Sequence, residues 1–308
     1  MSPVPTRILL IQGISSLRAT SEDEAVGALT TDERGLRRQV VALDTREHAE
    51  AVASGFWPPV DAQVRAVAAE LHANLEEHGP AQLLYAGLDE VPTLIALGAL
   101  FGDEHRLGCR DYDRDSGRFV WPETAQTLEL EPAGAPRERM DAAGEVVVRV
   151  EISYPVQDAH VDAVLDRRSR LADVVIRPRG VAPRPGLVRS QADVEHFRTV
   201  FRDVLALLEL ERPGTEVIHL FLAGPVSTCL AAGQELRLRN GRRVQTYRYR
   251  TLDDPPLTRA LRLTPEASSD VQTPLSDADM ALAMPSVRAA PNRKACAMPS
   301  PVAPSMPR

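Results

Sequence analysis

Two stretches of this chain carry residue types that could grip an anion. In one, IHLFLAGPVSTCLAAGQELRLRNGRRVQTYRYR from Ile218, the residues Gly224, Pro225, Val226, Ser227 and Thr228 follow a strand-like run and open a run of small residues. In the other, LLYAGLDEVPTLIALGALFGDEHRLGCRDYDRD from Leu83, that place is held by Gly87, Asp89, Pro92 and Thr93. A glycine turn between a parallel strand and a helix aims unpaired backbone N–H groups and the positive end of the helix dipole at one spot, so phosphate is the expected guest. The hydroxyls of Thr93, Ser227 and Thr228 would bond phosphate oxygens or a ribose; alternatively they cap their own helices and the glycines serve only the turns. Asp89 repels phosphate unless it reads a base or a ribose, which predicts an asymmetric pocket. Arg237, Arg239, Arg242 and Arg243 cluster where the second helix exits; they fork onto phosphate or else form a solvated face. Tyr112 and Tyr247, with Tyr85 and Phe221 near the turns, offer ring faces for stacked bases or fill the sheets. His219, in a strand that reads as wholly buried, is expected to be a hydrogen-bonded core residue.

The two stretches are related. Placing Val91 on Val226 brings Thr93 onto Thr228, Ala96 onto Ala231, Gly98 onto Gly233 and Tyr112 onto Tyr247 without a gap; Ala86-Gly87 meets Ala223-Gly224 once two extra residues are allowed in the first copy. A duplicated strand, turn and helix predicts two similar half-domains facing one another across a pseudo-two-fold axis, with a ligand pocket between the paired turns. The flanking sequence fits. RILLIQG and LRRQVVALD read as strands separated by a charged excursion from Ser21 to Glu33, and Val60, Val64, Val67, Leu71 and Leu75 recur at helical spacing up to Gly79-Pro80. In the second half VVVRVEIS and ADVVIRP read as strands. Ser190 with Asp193 resembles a capping box, and Val194, Phe197, Phe201, Val204 and Leu208 mark a long helix ended by Pro213-Gly214. Each half therefore reads β-β-α-β-α-β. The expected α/β organisation is a first half over 1–130, a linker over 131–144, a second half over 145–265 and a disordered tail over 266–308, where Pro, Ser and Ala replace any apolar period.

Composition narrows the function. A length of 308 residues with 44% hydrophobic content builds a real core, and a net charge of -7 argues against duplex DNA as a partner. The three cysteines are scattered, with no CxxC pair, which suits reduced thiols in a cytoplasm. No signal peptide and no apolar run long enough to span a membrane is present. Phosphate-loop, zinc-protease, nucleophile-elbow and zinc-ligand spacings are all missing, so no cofactor, metal or catalytic residue is expected.

The stretch Glu216 to Tyr249, followed by TLDDPPLTRALRL, resembles the carboxyl-terminal signature of SAVED domains: an HLF-A-P strand and turn, a helix with a small residue and Gly, and a strand ending in aromatics. Gly224, Pro225, Val226 and Ser227 match the family's turn and Tyr247 its strand. The resemblance implies two fused CARF-like (Rossmann-like) halves that sense a cyclic oligonucleotide in bacterial anti-phage signalling, in CBASS or type III CRISPR systems. It also implies a ligand-dependent homo-oligomer. SAVED domains usually follow an amino-terminal effector, whereas here the first strand starts within ten residues of Met1, so either the effector is expected on a separate polypeptide or the chain is a truncated or lone sensor. Two alternatives stay open: a ring nuclease in which Thr93, Thr228 or an arginine assists in-line attack, and an unrelated α/β protein that binds a mononucleotide.

Overall fold

The computed structural model describes residues 6–102, 104–121, 127–236, 242–250 and 256–264. The tail expected at 266–308, and Arg237 and Arg239, lie outside them. The first half runs β1 (Arg7–Ile14), α1 (Glu22–Gly27), α2 (Thr31–Arg34), β2 (Arg37–Asp44), α3 (Ala49–Ala53), α4 (Pro58–His78), β3 (Gln82–Ala86), α5 (Val91–Phe101) and β4 (Leu107–Cys109), then a small hairpin of β5 (Tyr112–Asp113) and β6 (Arg118–Phe119). The second runs β7 (Leu130–Ala133), β8 (Gly144–Glu151), α6 (Asp158–Val164), β9 (Arg170–Pro178), α7 (Gln191–Glu211), β10 (Thr215–Ala223), α8 (Val226–Glu235), β11 (Arg243–Tyr249) and β12 (Leu257–Leu263).

The duplication is visible in the sheets. The first is parallel with order β2-β1-β3-β4; in the second, the parallel strands β9-β8-β10-β11 follow the same order, and antiparallel β7 and β12 close the two edges. Strand β7 starts at the last residue expected for the first half and runs into the stretch expected to be a linker, yet it pairs in the second sheet. Strands covered on both faces read as continuous apolar runs, as the fully buried Ile8 to Ile11 of β1 and Val146 to Val148 of β8 do. The charged excursion Ser21 to Glu33 is not a loop but two short helices. Each opens with a reciprocal capping box, Ser21 with Glu24 and Thr30 with Glu33, so local hydrogen bonds rather than apolar period make them helical.

Helices α4, α5, α8 and α7 pack side by side in that order, and one apolar cluster runs through both halves, from Leu9 and Leu71 to Phe197 and Leu222. Helix α4 buries Val60, Val64, Val67, Leu71 and Leu75, the periodic set. In α7 the Ser190 hydroxyl accepts from the Asp193 N–H at 3.2 Å, but the Asp193 carboxylate, fully buried, does not turn back to close a box. It accepts instead from the Leu128 and Arg189 N–H groups at 2.7 and 2.9 Å, tying two loops to the helix start. Ser190→Ala is expected to cost about 1 kcal/mol in chemical denaturation, the usual value of a lost cap.

At the centre, α5 and α8 touch backbone to backbone. A Cβ added at Gly98 would lie 2.2 Å from the Leu230 carbonyl oxygen, and one at Gly233 would lie 2.1 Å from that of Ile95. Ile95 aligns with Leu230 just as Gly98 aligns with Gly233, so the two contacts are images of one another and the pseudo-two-fold axis passes between the glycines.

Candidate functional site

Both glycine turns are closely packed, the first against backbone and the second against side chains. A Cβ at Gly87 would stand 2.5 Å from the Cα of Gly13, at the end of β1, and one at Gly224 would stand 2.5 Å from the Thr228 hydroxyl, which donates to the Pro225 carbonyl at 2.8 Å. Thr93, Ser227 and Thr228 are buried beneath the turns, at 1%, 3% and 0% exposure. Their hydroxyls face the protein.

Above them the two halves enclose a cleft of about 370 Å³. The first half contributes Leu88, beside Gly87, and the β5–β6 hairpin with Asp111, Tyr112, Asp113, Arg114 and Asp115; the second contributes Ile152 and Ser153 beyond β8, the loop from Arg184 to Arg189, and Pro225 with Val226. That loop is pinned at both ends, by the Arg184 N–H donating to the Ile152 carbonyl at 3.0 Å and by the Arg189 N–H on Asp193. The side chains of Arg114, Arg184 and Arg189 are exposed, and among the described residues none of the three forms a salt bridge. Tyr112 lies edge-on to Phe119 with the Arg18 guanidinium 4.4 Å from its ring centre. The chemistry offered is three guanidinium groups on the rim, the carboxylates of Asp111, Asp113 and Asp115 on the hairpin side, one aromatic ring and an apolar floor. Arg189 is near enough to Asp113 to attract its carboxylate, so a polyanion with flat bases would lie toward the Arg184–Arg189 side.

The helix N-termini at this cleft already hold carboxylates of the chain itself. Asp111 accepts from the Ser227 N–H at 2.9 Å and from its hydroxyl at 2.6 Å, across the pseudo-axis; burial pushes its pKa up to about 6 against those two bonds. Asp89 accepts from the Glu90 N–H at 2.8 Å and the Thr45 hydroxyl at 3.3 Å, and burial pushes it up to about 7. Glu90, the N-cap of α5, receives Arg250 at 2.6 Å and Arg248 at 3.4 Å from the second half.

Sheet register makes the last of these contacts the counterpart of the first. Ala86 and Ala223 both end the central strands, Tyr85 pairs with Cys109, and Leu220 pairs with Thr246. Stepping along each strand puts Cys109 level with Arg248 and hence Asp111 level with Arg250. Each half thus sends the residue beyond its β4 or β11 strand to the helix start of the other, an aspartate one way and an arginine the other.

Three sequence expectations change accordingly. Phosphate is not free to sit on Ser227 and Thr228, because Asp111 occupies the start of α8 and Thr228 is turned inward. Arg242 does not approach the turn: Arg243 is level with Val217 at the start of β10, so this arginine pair lies at the sheet edge opposite Gly224, about 20 Å away. Tyr247 is not a stacking platform for a ligand. It stacks on Phe221 at 4.0 Å, its hydroxyl lies 2.6 Å from Nδ1 of His219, and both belong to the core of the second half. The ungapped pairing of Tyr112 with Tyr247 also fails in space, since Tyr247 is level with Gly108, and only Tyr112 reaches the cleft. Of the expected site, Pro225 and Val226 line the cleft, with Gly87 and Gly224 shaping the turns behind them. His219 is the hydrogen-bonded core histidine expected, its pKa lowered by burial, with Nε2 3.3 Å from Glu145. Arg114, Arg184 and Arg189 were not singled out by sequence.

Among the described residues, no group of three or more His, Cys, Asp or Glu side chains could hold a metal ion, and no helix is long and apolar enough to cross a membrane.

A pair of fused half-domains, each built on a four-stranded parallel core, with a charged cleft at their junction defines a Rossmann-like α/β fold. The profile of the SAVED family, described as "SMODS-associated and fused to various effectors sensor domain", matches residues 64–262, and the chain belongs to that family. Solved structures agree on the fold. The Acinetobacter baumannii Cap4 SAVED/CARF-domain containing receptor with the cyclic trinucleotide 2'3'3'-cAAA superposes with a TM-score of 0.52 at 14% identity, over 85% of this chain and 52% of that one. The same receptor with 3'3'3'-cAAA gives 0.52 at 14%, over 84% and 51%. The Moraxella osloensis Cap4 receptor gives 0.50 at 12%, over 85% and 50%. This chain spans about half the length of those receptors. No match was found among curated proteins.

Proposed function

We propose that this chain binds a cyclic oligonucleotide second messenger in the cleft between its halves and passes the signal on in bacterial anti-phage defence, to a separate effector or through self-assembly. The cleft itself carries the reading: in a SAVED fold, rim arginines Arg114, Arg184 and Arg189 stand over an apolar floor where the two halves meet. Phosphates lie toward those arginines and a base lies near Tyr112, while the turn residues Gly87, Asp89, Thr93, Gly224 and Thr228 support the floor from behind. The likeness to receptors whose structures contain cyclic trinucleotides makes three-base rings the first ligands to try. The action is binding without turnover.

Isothermal titration with a panel of cyclic di-, tri- and tetranucleotides tests it. One ring should bind, and Arg184→Glu and Arg189→Glu should each weaken it about tenfold, equivalent to about 1.4 kcal/mol. Binding should also fall as salt rises. Ligand recovered intact by chromatography after incubation fits a sensor; linear products would favour a ring nuclease. If no ring binds, the cleft serves another guest.

A further inference from the structure

The pseudo-axis carries the contact of Asp111 with Ser227, in the mapped cleft, onto the contact of Arg250 and Arg248 with Glu90. The two places are unlike in charge. At the first, a carboxylate sits on a helix start; at the second, two guanidinium groups converge on one carboxylate. The Arg248 side chain is 5% exposed, Glu90 12% and Arg250 38%, so the pair of arginines is half enclosed yet open to solvent on the Arg250 side. Two guanidinium groups held around one anionic group form a site with phosphate chemistry, and here the chain supplies the anion itself.

We propose that Arg248 and Arg250 form a second phosphate-binding arm, in which the Glu90 carboxylate serves as an internal stand-in for phosphate. Resting on the ligand reading above, the arm would take a phosphate of the same ring that occupies the open cleft, because an object lying across the pseudo-axis meets both mates. Glu90 then sets the affinity: every ligand must displace it, so the binding-competent form is a fraction of the population and the apparent affinity is reduced by that fraction. Displacement would also release a contact between the halves, Glu90 belonging to the first and both arginines to the second.

The test uses Glu90→Gln, with Arg250→Ala added as a second variant, and inorganic pyrophosphate as a probe that does not depend on the natural ligand. Glu90→Gln takes one counter-charge from the buried Arg248 and lowers the melting temperature. Millimolar pyrophosphate, compared with sodium chloride of equal ionic strength, should raise the Tm of Glu90→Gln by at least about 2 °C while moving wild type by less than about 0.5 °C. The double variant Glu90→Gln/Arg250→Ala should lose that response. Where a cyclic oligonucleotide binds wild type, Glu90→Gln should bind it about tenfold more tightly. Equal pyrophosphate responses in Glu90→Gln and wild type overturn the arm even if the ring binds both; a response of the variant alone upholds the arm even if no ring binds. Should Glu90→Gln not fold, Glu90→Asp, whose shorter carboxylate reaches the arginines less well, is expected to show the same response at smaller size, and its absence overturns the proposal.

Discussion

Gly98→Ala and Gly233→Ala are each expected to lower stability by about 2–3 kcal/mol, the upper part of the range for overpacking. The added carbon meets a backbone carbonyl oxygen at 2.2 or 2.1 Å, and a carbonyl inside a helix cannot rotate away as a side chain would. The helices must part instead, which loosens apolar contacts of both halves at once. Because both substitutions force the same separation, the double variant should cost clearly less than the sum of the singles. Gly27→Ala is the control: nothing lies within 4 Å of its added Cβ, at the end of α1, and alanine should stabilise there by about 0.5–1 kcal/mol. Urea denaturation of the four proteins decides it. Additive losses, or losses no larger than about 0.5 kcal/mol, would mean that α5 and α8 do not meet as described.

Asp89→Asn is expected to stabilise the chain above neutral pH. Its folded pKa is raised from 3.8 to about 7 by burial, so between those values the folded chain holds a proton that the unfolded chain has released. Stability contributed by the protonated carboxyl is full below about pH 4 and is lost as pH rises through 7. Across three pKa units the loss approaches about 4 kcal/mol. Asparagine keeps an oxygen for the Glu90 N–H and never ionises. The variant should match wild type near pH 4 and exceed it by about 2–4 kcal/mol at pH 8, read from denaturation at a series of pH values. A gap that does not widen with pH would place Asp89 in a more polar setting. Asp111, raised to about 6, adds a smaller loss of the same sign over a narrower pH range in both proteins.

The succession of strands and helices, the long helices and the duplication were legible because each rests on local or periodic signals: Val60 to Leu75 at helical spacing, the paired Ala-Gly turns, and Gly98 aligned with Gly233. The position of Arg242 was legible too, though it was misread. A helix that leaves the carboxyl edge of a parallel sheet must return the chain to the opposite edge, so its exit loop cannot meet the turn that began it. Tyr112 and Tyr247 misled because β4 has three residues and β11 seven, and an ungapped alignment does not register where a strand stops. Arg184, Arg189 and Asp111 carried no readable signal. Asp111 and Ser227 are 116 residues apart, and only the folded pseudo-symmetry brings that carboxylate to the start of α8.

The glycine crossing of α5 and α8 has a mechanical meaning. Backbones in direct contact, inside a cluster that both halves share, leave no seam along which the molecule could gape like a jaw. On the proposed reading, a guest in the cleft would move its lips, the β5–β6 hairpin and the Arg184–Arg189 loop, together with the Glu90 contact to Arg248 and Arg250, while the spine behind them stays still.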